Sequence, residues 1–287
     1  MNCNPLSVPA ARNVNLFAAR FGRCRSLLSP VFRLAPLFLL FAFAGFAHAQ
    51  SPAPPPPAEF GTLTYPARGN IQLDEGTVDL WVVSNFDTDH VPAKGEPGWQ
   101  ATLFSLVFPE HNWHYPLYYI AWGNAFAFVG YNHPGHRYVW LGPPHWKPGE
   151  VHHVVMTWSG RKRSLYIDGN FEWVGRKGKG VSRDVEVEGE LTGDLTAATI
   201  EIGRGGSHVT VDELQIRRVA LTHEEVVKAK DAPLVADANT LLLDHCDGSP
   251  PEIIGGQTGE TAGAISGAYE YVDGKFGKAL KLWKEKK

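Results

Sequence analysis

The sequence is poor in cysteine, and that shortage limits how the protein can be stabilised. Three of the 287 residues are cysteine, and two of them, Cys3 and Cys24, lie within the first 49 residues. If those residues are removed, Cys246 stands alone, so neither an intrachain disulfide nor a cysteine metal cluster can form. Hydrophobic residues make up 44% and charged residues 20% of the chain, which excludes a disordered polypeptide and favours an ordinary hydrophobic core.

Acidic residues are missing altogether from residues 1–49, which carry five arginines at positions 12, 20, 23, 25 and 33. An apolar run at 34–47 follows and ends in Ala47-His48-Ala49. A basic start, an apolar centre and a small-residue cleavage site predict a signal peptide over 1–49. The run is short for a bilayer span, so we expect no membrane insertion after cleavage, and a secreted, periplasmic or cell-surface protein. Residues 50–60 are a Pro-rich linker that we expect to be extended.

A basic surface is also lacking. Five of the 27 basic residues would leave with the signal peptide, so 22 basic residues would face 30 acidic ones in the rest of the chain. A net negative surface gives no electrostatic reason to bind nucleic acid or an anionic membrane. We therefore expect neither partner.

Short strand-like runs recur at close intervals between residues 62 and 217, and turn residues separate them. This pattern predicts an antiparallel all-β sandwich or barrel rather than alternating strands and helices. Residues 151–169, V-H-H-V-V-M-T-W-S-G-R-K-R-S-L-Y-I-D-G, predict a hairpin whose turn contains Gly160, followed by a third strand at 171–174. A T-x-x-E capping box at Thr222 and Glu225 predicts one short helix. Residues 175–198, rich in Gly, Asp and Glu, predict a long loop or a weakly ordered segment.

The hairpin at 151–169 resembles the central hairpin of LamG-like jelly-roll domains in the concanavalin A-like lectin/glucanase superfamily. Two further stretches are similar to that family in the expected order: G-T-V-D-L-W-V at 76–82 and V-D-E-L-Q-I-R-R-V-A-L-T-H-E-E-V at 211–226. The resemblance covers roughly residues 61–230, which we predict to be the jelly-roll body. It implies a two-sheet antiparallel sandwich with one short helix after the last body strand. The fold hosts lectins, enzymes and adhesive modules, so function has to be argued from a site.

The segment at 231–287 resembles the opening of such a domain, although it follows the closing helix. Its T-L-L-L-D-H-C-D-G and G-K-F-G-K-A-L-K-L stretches are either a truncated second repeat or a permuted part of the same domain. Chain ends of compact domains often lie close together, and unpaired apolar strands invite aggregation. We therefore favour a segment that folds back to complete the sandwich.

The stretch at 99–146 is rich in aromatic residues and histidine, the residue types that contact sugars. Rings stack on the C–H faces of a sugar, while imidazole, amide and guanidinium groups bind its hydroxyls. Equally, alternate rings in these strands could fill the core. The candidate ligand-binding residues are Trp113, Tyr115, His133, Arg137 and Trp146.

The family resemblance also implies a structural Ca²⁺ ion at the rim of the sandwich. Asp212 matches the aspartate of the last body strand, and Asp244 and Asp247 would approach it if the C-terminal segment folds back. Backbone carbonyls would have to complete the six to eight oxygen ligands. The alternative is that Asp212 accepts backbone amides at a turn.

The sequence contains no convincing pair of carboxylates for catalysis. The nearest match to the retaining glycanases of the superfamily is Glu186, Glu188 and Glu190, which lack a central aspartate and lie in a Gly-rich segment. We therefore predict an exported, non-catalytic binding or adhesion module for a glycan or an extracellular protein partner. The alternatives are a glycan-active hydrolase or lyase, and a structural fragment of a larger multidomain protein.

Overall fold

The computed structural model describes residues 58–94, 96, 98–110, 113–130, 137–175, 178–249 and 263–285. The predicted signal peptide and most of the Pro-rich linker lie outside these residues, so both stay predictions. The described part contains one α-helix, α1 at His223–Ala229, and a 3-10 turn at Ala121–Gly123. No helix in that part is long and apolar enough to cross a membrane.

Thirteen strands precede the helix in the described ranges: β1 Ala58–Pro66, β2 Glu75–Val83, β3 Gln100–Phe108, β4 Trp113–Ile120, β5 Ala125–Gly130, β6 Arg137–Leu141, β7 Val151–Ser159, β8 Lys162–Ile167, β9 Glu172–Gly175, β10 Gly178–Val181, β11 Val185–Glu186, β12 Thr199–Ile202 and β13 Thr210–Arg217. Five more follow it: β14 Thr240–Asp244, β15 Ala264–Gly267, β16 Glu270–Asp273, β17 Lys278–Lys281 and β18 Trp283–Glu285.

Two antiparallel sheets of eight strands each form the body of the described structure. The first sheet has the order β15-β1-β12-β3-β4-β5-β6, and β18 also pairs with β1. The second sheet has the order β11-β8-β7-β2-β13-β17-β16, and β14 also pairs with β13. The predicted all-β jelly-roll sandwich is confirmed.

The core lies between the sheets because alternate residues of each strand point inward. In β2, the side chains of Val78, Leu80 and Val82 join the core cluster, whereas Asp79 and Trp81 lie on the opposite, outer face. The first sheet contributes residues such as Phe104, Leu106, Leu117 and Phe128 to the same cluster, and the second sheet contributes residues such as Val154, Met156, Leu214 and Ile216. Contact between two apolar faces is what makes the sheets a sandwich.

The predicted hairpin is present as β7 and β8, and Gly160 adopts φ +54° in its turn. Gly76 of β2 makes room for a buried side chain of the neighbouring strand β7. It pairs with Trp158, and a Cβ atom at position 76 would lie 2.4 Å from Trp158 Cζ2. The absence of a side chain there therefore makes room for the buried indole.

The predicted third strand and the predicted loop after it need correction. Instead of extending the β7–β8 meander, β9 pairs with β10 in a separate two-stranded sheet, and the last residue of β9 and all of β10 lie in the segment predicted as a loop. The edge of β8 is already occupied, because the Leu165 amide donates to the Ser182 carbonyl at 2.8 Å and β11 pairs with the start of β8. The residues that follow β10 therefore pair with β8, and the β9–β10 hairpin that precedes them lies outside the sheet.

The helix and the segment after it cover the outer face of the second sheet. Thr222 caps α1 as predicted: its hydroxyl accepts from the Glu225 amide at 3.3 Å, and the Glu225 carboxylate accepts from the Thr222 amide at 2.7 Å. Val226 of α1 packs on Tyr166. Beneath this cover, His153 Nε2 lies 2.6 Å from Asp79 Oδ1, and both side chains are fully buried.

Strands of the C-terminal segment lie in both sheets. β14 and β17 flank β13 on the side opposite β2, while β15 and β18 pair with β1. Leu242, Leu280 and Leu282 are buried in the common core. These pairings and buried leucines are what is expected of a C-terminal segment that folds back onto the body. The boundaries at 61–230 and 231–287, and a permuted origin, stay predictions.

Truncation of a buried C-terminal leucine should therefore destabilise the whole fold. We expect Leu242→Ala to lower the free energy of unfolding by about 2–5 kcal/mol, because the side chain is buried between the sheets and its loss leaves a cavity. Val235→Ala is the control, because this side chain is 69% exposed and its truncation should change stability by no more than about 0.5 kcal/mol. Urea unfolding measures both; equal stability of the two variants would contradict the packing.

Candidate functional site

Two of the predicted sugar-binding rings are buried in the core. Tyr115 is 1% exposed, and its hydroxyl donates to the Thr192 carbonyl at 2.8 Å and accepts from the Thr192 amide at 2.9 Å. Trp146 is 2% exposed, and its ring stacks on the His152 imidazole with a centroid separation of 4.2 Å. Neither ring presents a face to a ligand, so the core explanation replaces the binding hypothesis for both.

The other three predicted residues are not tested by the described coordinates. Trp113 begins β4 and Arg137 begins β6, but their side chains lie outside the described part. His133 lies outside the described residues altogether. All three stay predictions.

The three predicted calcium ligands already bind protein groups. Asp212 Oδ2 accepts from the backbone amides of Lys275 at 2.7 Å and Phe276 at 3.1 Å. Asp244 accepts from the Cys246 amide at 2.7 Å and from the Tyr65 hydroxyl. Asp247 is exposed and accepts from Ser249. The remaining oxygen of Asp212, Oδ1, is buried without a hydrogen-bond partner, and burial raises the pKa of this carboxyl group.

The described donor set does not fit a calcium ion. Calcium takes six to eight oxygen ligands, several of them carboxylate oxygens. Within the described ranges no group of three or more His, Cys, Asp or Glu side chains is arranged to hold a metal. Amide acceptance at the turn before β17, the alternative raised from the sequence, describes the observed contacts of Asp212.

The acidic triplet considered for catalysis is exposed to solvent. Glu186 lies at the end of β11 and forms an ion pair with Arg161, with Glu186 Oε1 3.2 Å from Arg161 NH2. Glu188 and Glu190 follow in an irregular segment, and all three side chains are exposed. Retaining glycosidases need one carboxyl group whose pKa is raised, usually by an apolar environment. These positions offer no such environment.

A cavity of about 510 Å³ lies on the outer face of the first sheet and is the candidate functional site. We call it the outer groove. β3 and β4 supply its floor, since the side chains that alternate with core residues in these strands point outward. The turn between β12 and β13 supplies one wall. Its principal lining residues are Trp99, Ser105, His114, Tyr118, Arg204 and His208.

Hydrogen bonds hold the polar wall of the outer groove in place. Arg204 NH1 donates to Glu201 Oε2 at 2.5 Å. The Ser207 hydroxyl accepts from the Thr102 amide at 2.9 Å and donates to the Arg204 carbonyl at 2.8 Å. Since the guanidinium carries five N–H donors, most of its donor capacity remains for a ligand.

Burial disfavours the charged form of both imidazoles in the outer groove. Burial lowers the pKa of His114, and the nearby Arg204 lowers it further. Burial also lowers the pKa of His208, whose ring lies 4.9 Å from Phe60 and 4.8 Å from Trp283 between centroids. A neutral imidazole has one donor and one acceptor nitrogen, a combination that suits a hydroxyl group.

Ser105 is the unusual residue of the outer groove. Its side chain is fully buried at the cavity floor, and its hydroxyl has no hydrogen-bond partner in the described part of the chain. Ser105 pairs with Glu201 in β12 and with Pro116 in β4, and Pro116 has no amide hydrogen to donate. A buried polar group without a partner is costly, so this hydroxyl needs an explanation.

Aromatic surface adjoins the polar groups. Trp99 and Tyr118 line the outer groove, and Tyr118 continues into an apolar cluster with Ile120, Ala127 and Val129 on the same outer face. These residues are not among the predicted site residues, because they lie up to about a hundred positions apart in the sequence and share no local motif. The available signal was the alternation of Ser105 with the core residues Phe104 and Leu106.

Comparisons with known proteins identify no family for this chain. No protein-family model matches the sequence, and no curated protein matches it. Among solved structures, the chain is similar to a pentraxin from Limulus polyphemus, with 14% identity and a TM-score of 0.44 over 78% of this chain and 89% of that one. A candidate carbohydrate binding protein from Bacteroides ovatus has 14% identity and a TM-score of 0.46, with 79% and 60% covered.

The LG4-5 domains of mouse laminin alpha1 are also similar, with 14% identity and a TM-score of 0.36 over 66% of this chain and 46% of that one. The chain thus spans less than two thirds of the Bacteroides and laminin structures. A likeness at this level transfers no ligand, activity or partner. The two-sheet antiparallel sandwich implied by the sequence is confirmed by the strand pairing itself.

Substitution of Asp212 distinguishes an amide acceptor from a calcium ligand. We expect Asp212→Ala to lower the free energy of unfolding by about 1–3 kcal/mol, because two backbone amides lose their acceptor. Asp212→Asn should cost less, because its side-chain carbonyl can still accept from both amides. Thermal unfolding should rank the stability of the unchanged protein, Asp212→Asn and Asp212→Ala in the same order in calcium and in EDTA. A calcium-dependent rise in Tm that both variants abolish would instead favour a bound ion.

Proposed function

We propose that the chain is a non-catalytic binding module whose outer groove takes a glycan. The buried hydroxyl of Ser105 is the observation that carries the proposal. Fully buried and without a partner at the floor of a cavity, it is explained if binding shifts the groups that cover it and a ligand hydroxyl completes its hydrogen bonding. Water alone is the alternative occupant, and binding experiments separate the two.

The mixture of groups in the outer groove supports a sugar as ligand. Sugars present hydroxyls on their edges and C–H groups on their faces, so they need donors, acceptors and flat apolar surface together. Arg204, His114 and Gln100 supply polar groups, and Trp99 supplies aromatic surface beside the largely buried Tyr118. A purely apolar groove would favour a lipid or a hydrophobic peptide instead.

The carboxylates near the outer groove favour binding over catalysis. Glu201 is held by Arg204 and by the Thr199 hydroxyl, and Glu96 is exposed and accepts from the Ala93 amide. Glycosidase chemistry needs a proton donor in an apolar environment beside a second carboxylate. A hydrolase or lyase is therefore the runner-up, and shortening of a bound oligosaccharide during incubation would identify one.

Export is part of the same proposal. The arginines, the apolar run and the small-residue site within residues 1–49 support a signal peptide, and an exported module meets glycans of a cell surface or matrix. An extracellular protein partner and a structural fragment without ligand are the other outcomes of the binding test. A glycan array, probed with and without EDTA, makes the first selection.

Ser105→Ala gives a sharp test once an array ligand is known. We expect its Kd to rise roughly tenfold, because the ligand loses one buried hydrogen bond. Stability should stay equal or increase, because the substitution removes a buried hydroxyl that has no partner in the free protein. Isothermal titration calorimetry measures affinity, and urea unfolding measures stability.

Ser266→Ala is the matched control, since Ser266 is exposed on β15 of the same sheet and does not line the cavity. Affinity should be unchanged in this variant. An array without any signal in either buffer would overturn glycan binding. An unchanged Kd for Ser105→Ala would show that the ligand binds outside the outer groove.

A further inference from the structure

A second cavity, of about 250 Å³, lies on the outer face of the opposite sheet, where β7 and β8 meet the segment that leads into α1. We call it the hairpin cavity. Four hydroxyl-bearing side chains from the two strands line it: Thr157, Ser159, Ser164 and Tyr166. The outward alternation of β7 and β8 brings these groups to one side of the sheet.

Three nitrogen-bearing side chains converge on the hairpin cavity from three parts of the chain. Lys162 begins β8, Arg183 follows β10, and His223 is the first residue of α1. The Lys162 ammonium has neither an ion pair nor a hydrogen bond in the described residues. The Arg183 guanidinium is held over the Phe171 ring, 4.2 Å from its centroid. Cations so placed on separate elements favour an anion between them.

His223 provides an independent sign of a ligand. Its ring stacks on Tyr166 with a centroid separation of 5.8 Å and meets the edge of Phe171 at 4.9 Å. These contacts fix the imidazole, yet its Nδ1 atom is buried without a hydrogen-bond partner among the described residues. A buried nitrogen that lacks a partner, in a residue that lines a cavity, is a group whose hydrogen bonding a bound polar ligand could complete.

One carboxylate in the lining of the hairpin cavity forms a loose ion pair with one of these cations. Asp184 lines the hairpin cavity, but its side chain is 66% exposed, and its Oδ2 lies 3.6 Å from Arg183 Nε, beyond hydrogen-bond distance. Glu75 accepts from the Ala220 amide at 3.3 Å, and Glu225 is used by the capping box. The cationic groups that face the cavity therefore keep free donors.

We propose that the hairpin cavity binds a tetrahedral oxyanion, sulfate or phosphate, carried as a monoester on a small molecule or sugar. Arg183 and Lys162 supply charged donors, and the serine and threonine hydroxyls supply neutral ones, which together match an anion with several acceptor oxygens. The cavity leaves space beside the anion for part of the group that carries it. This site is separate from the outer groove and does not depend on the proposed function.

Paired ligands test the proposal directly. Calorimetric titration of the full chain at constant ionic strength would compare glucose 6-sulfate and glucose 6-phosphate with glucose. We expect at least one ester to bind and glucose not to bind at this cavity. The ester that binds identifies the source of the oxyanion. If neither ester binds more tightly than glucose, the proposal is overturned.

Variants locate the binding. Lys162→Gln combined with Arg183→Gln should weaken ester binding by more than about tenfold, since two charged donors are lost. Lys162→Gln alone serves if the double variant fails to fold, because Lys162 is exposed; a several-fold loss is expected. Lys228→Gln is the matched control, an equal charge change on the exposed side of α1. Ester binding that the first two variants leave unchanged, or that the control weakens equally, would overturn the site.

Discussion

The strand β13 is central to the second sheet because it is paired along both of its edges. β2 pairs with it on one side, and β14 and β17 share the other side. The register shift between Val211 and Glu213 turns the buried Asp212 carboxylate toward the backbone amides of Lys275 and Phe276. This irregular position thus adds two side-chain hydrogen bonds to the strand pairing that joins the body of the sandwich to its C-terminal segment.

The parts of this fold that sequence could predict are those set by local chemistry. The strand-forming residues of 151–167, Gly160 in a turn and the Thr222–Glu225 capping box each depend on neighbouring residues, and each predicted element is present. Local chemistry does not determine which strands pair with each other in a sheet. Ser182 occupies the edge of β8, and this long-range pairing diverts the next strand into a separate hairpin.

The same limit explains the errors at the candidate site. Tyr115 and Trp146 have the composition of a sugar platform, but their partners Thr192 and His152 place both rings in the core. Conversely, the outer groove is assembled from β3, β4 and the turn after β12, which are adjacent only because β12 pairs with β3. Its members lack any shared motif, so pairing had to be known before the groove could be recognised.

The outer groove and the hairpin cavity lie on opposite outer faces of the sandwich. The first sheet carries one and the second sheet carries the other, with the common core between them. Ligands at the two places would not compete for space, and neither requires the core to rearrange. A rigid two-layer body with separate outward faces is therefore able to hold two chemically different groups at once.

The pairing of β1 with β18 brings residues 58 and 285 together, because Ala58 lies opposite Glu285 at the end of the ladder. Tension applied through these two residues would pull adjacent strand ends apart in an unzipping geometry, in which the hydrogen bonds of the ladder break one after another. A shearing geometry would load them all together. Under mechanical load, this corner of the sandwich is accordingly where the fold would yield first, while the ladder between β2 and β13 would still be intact.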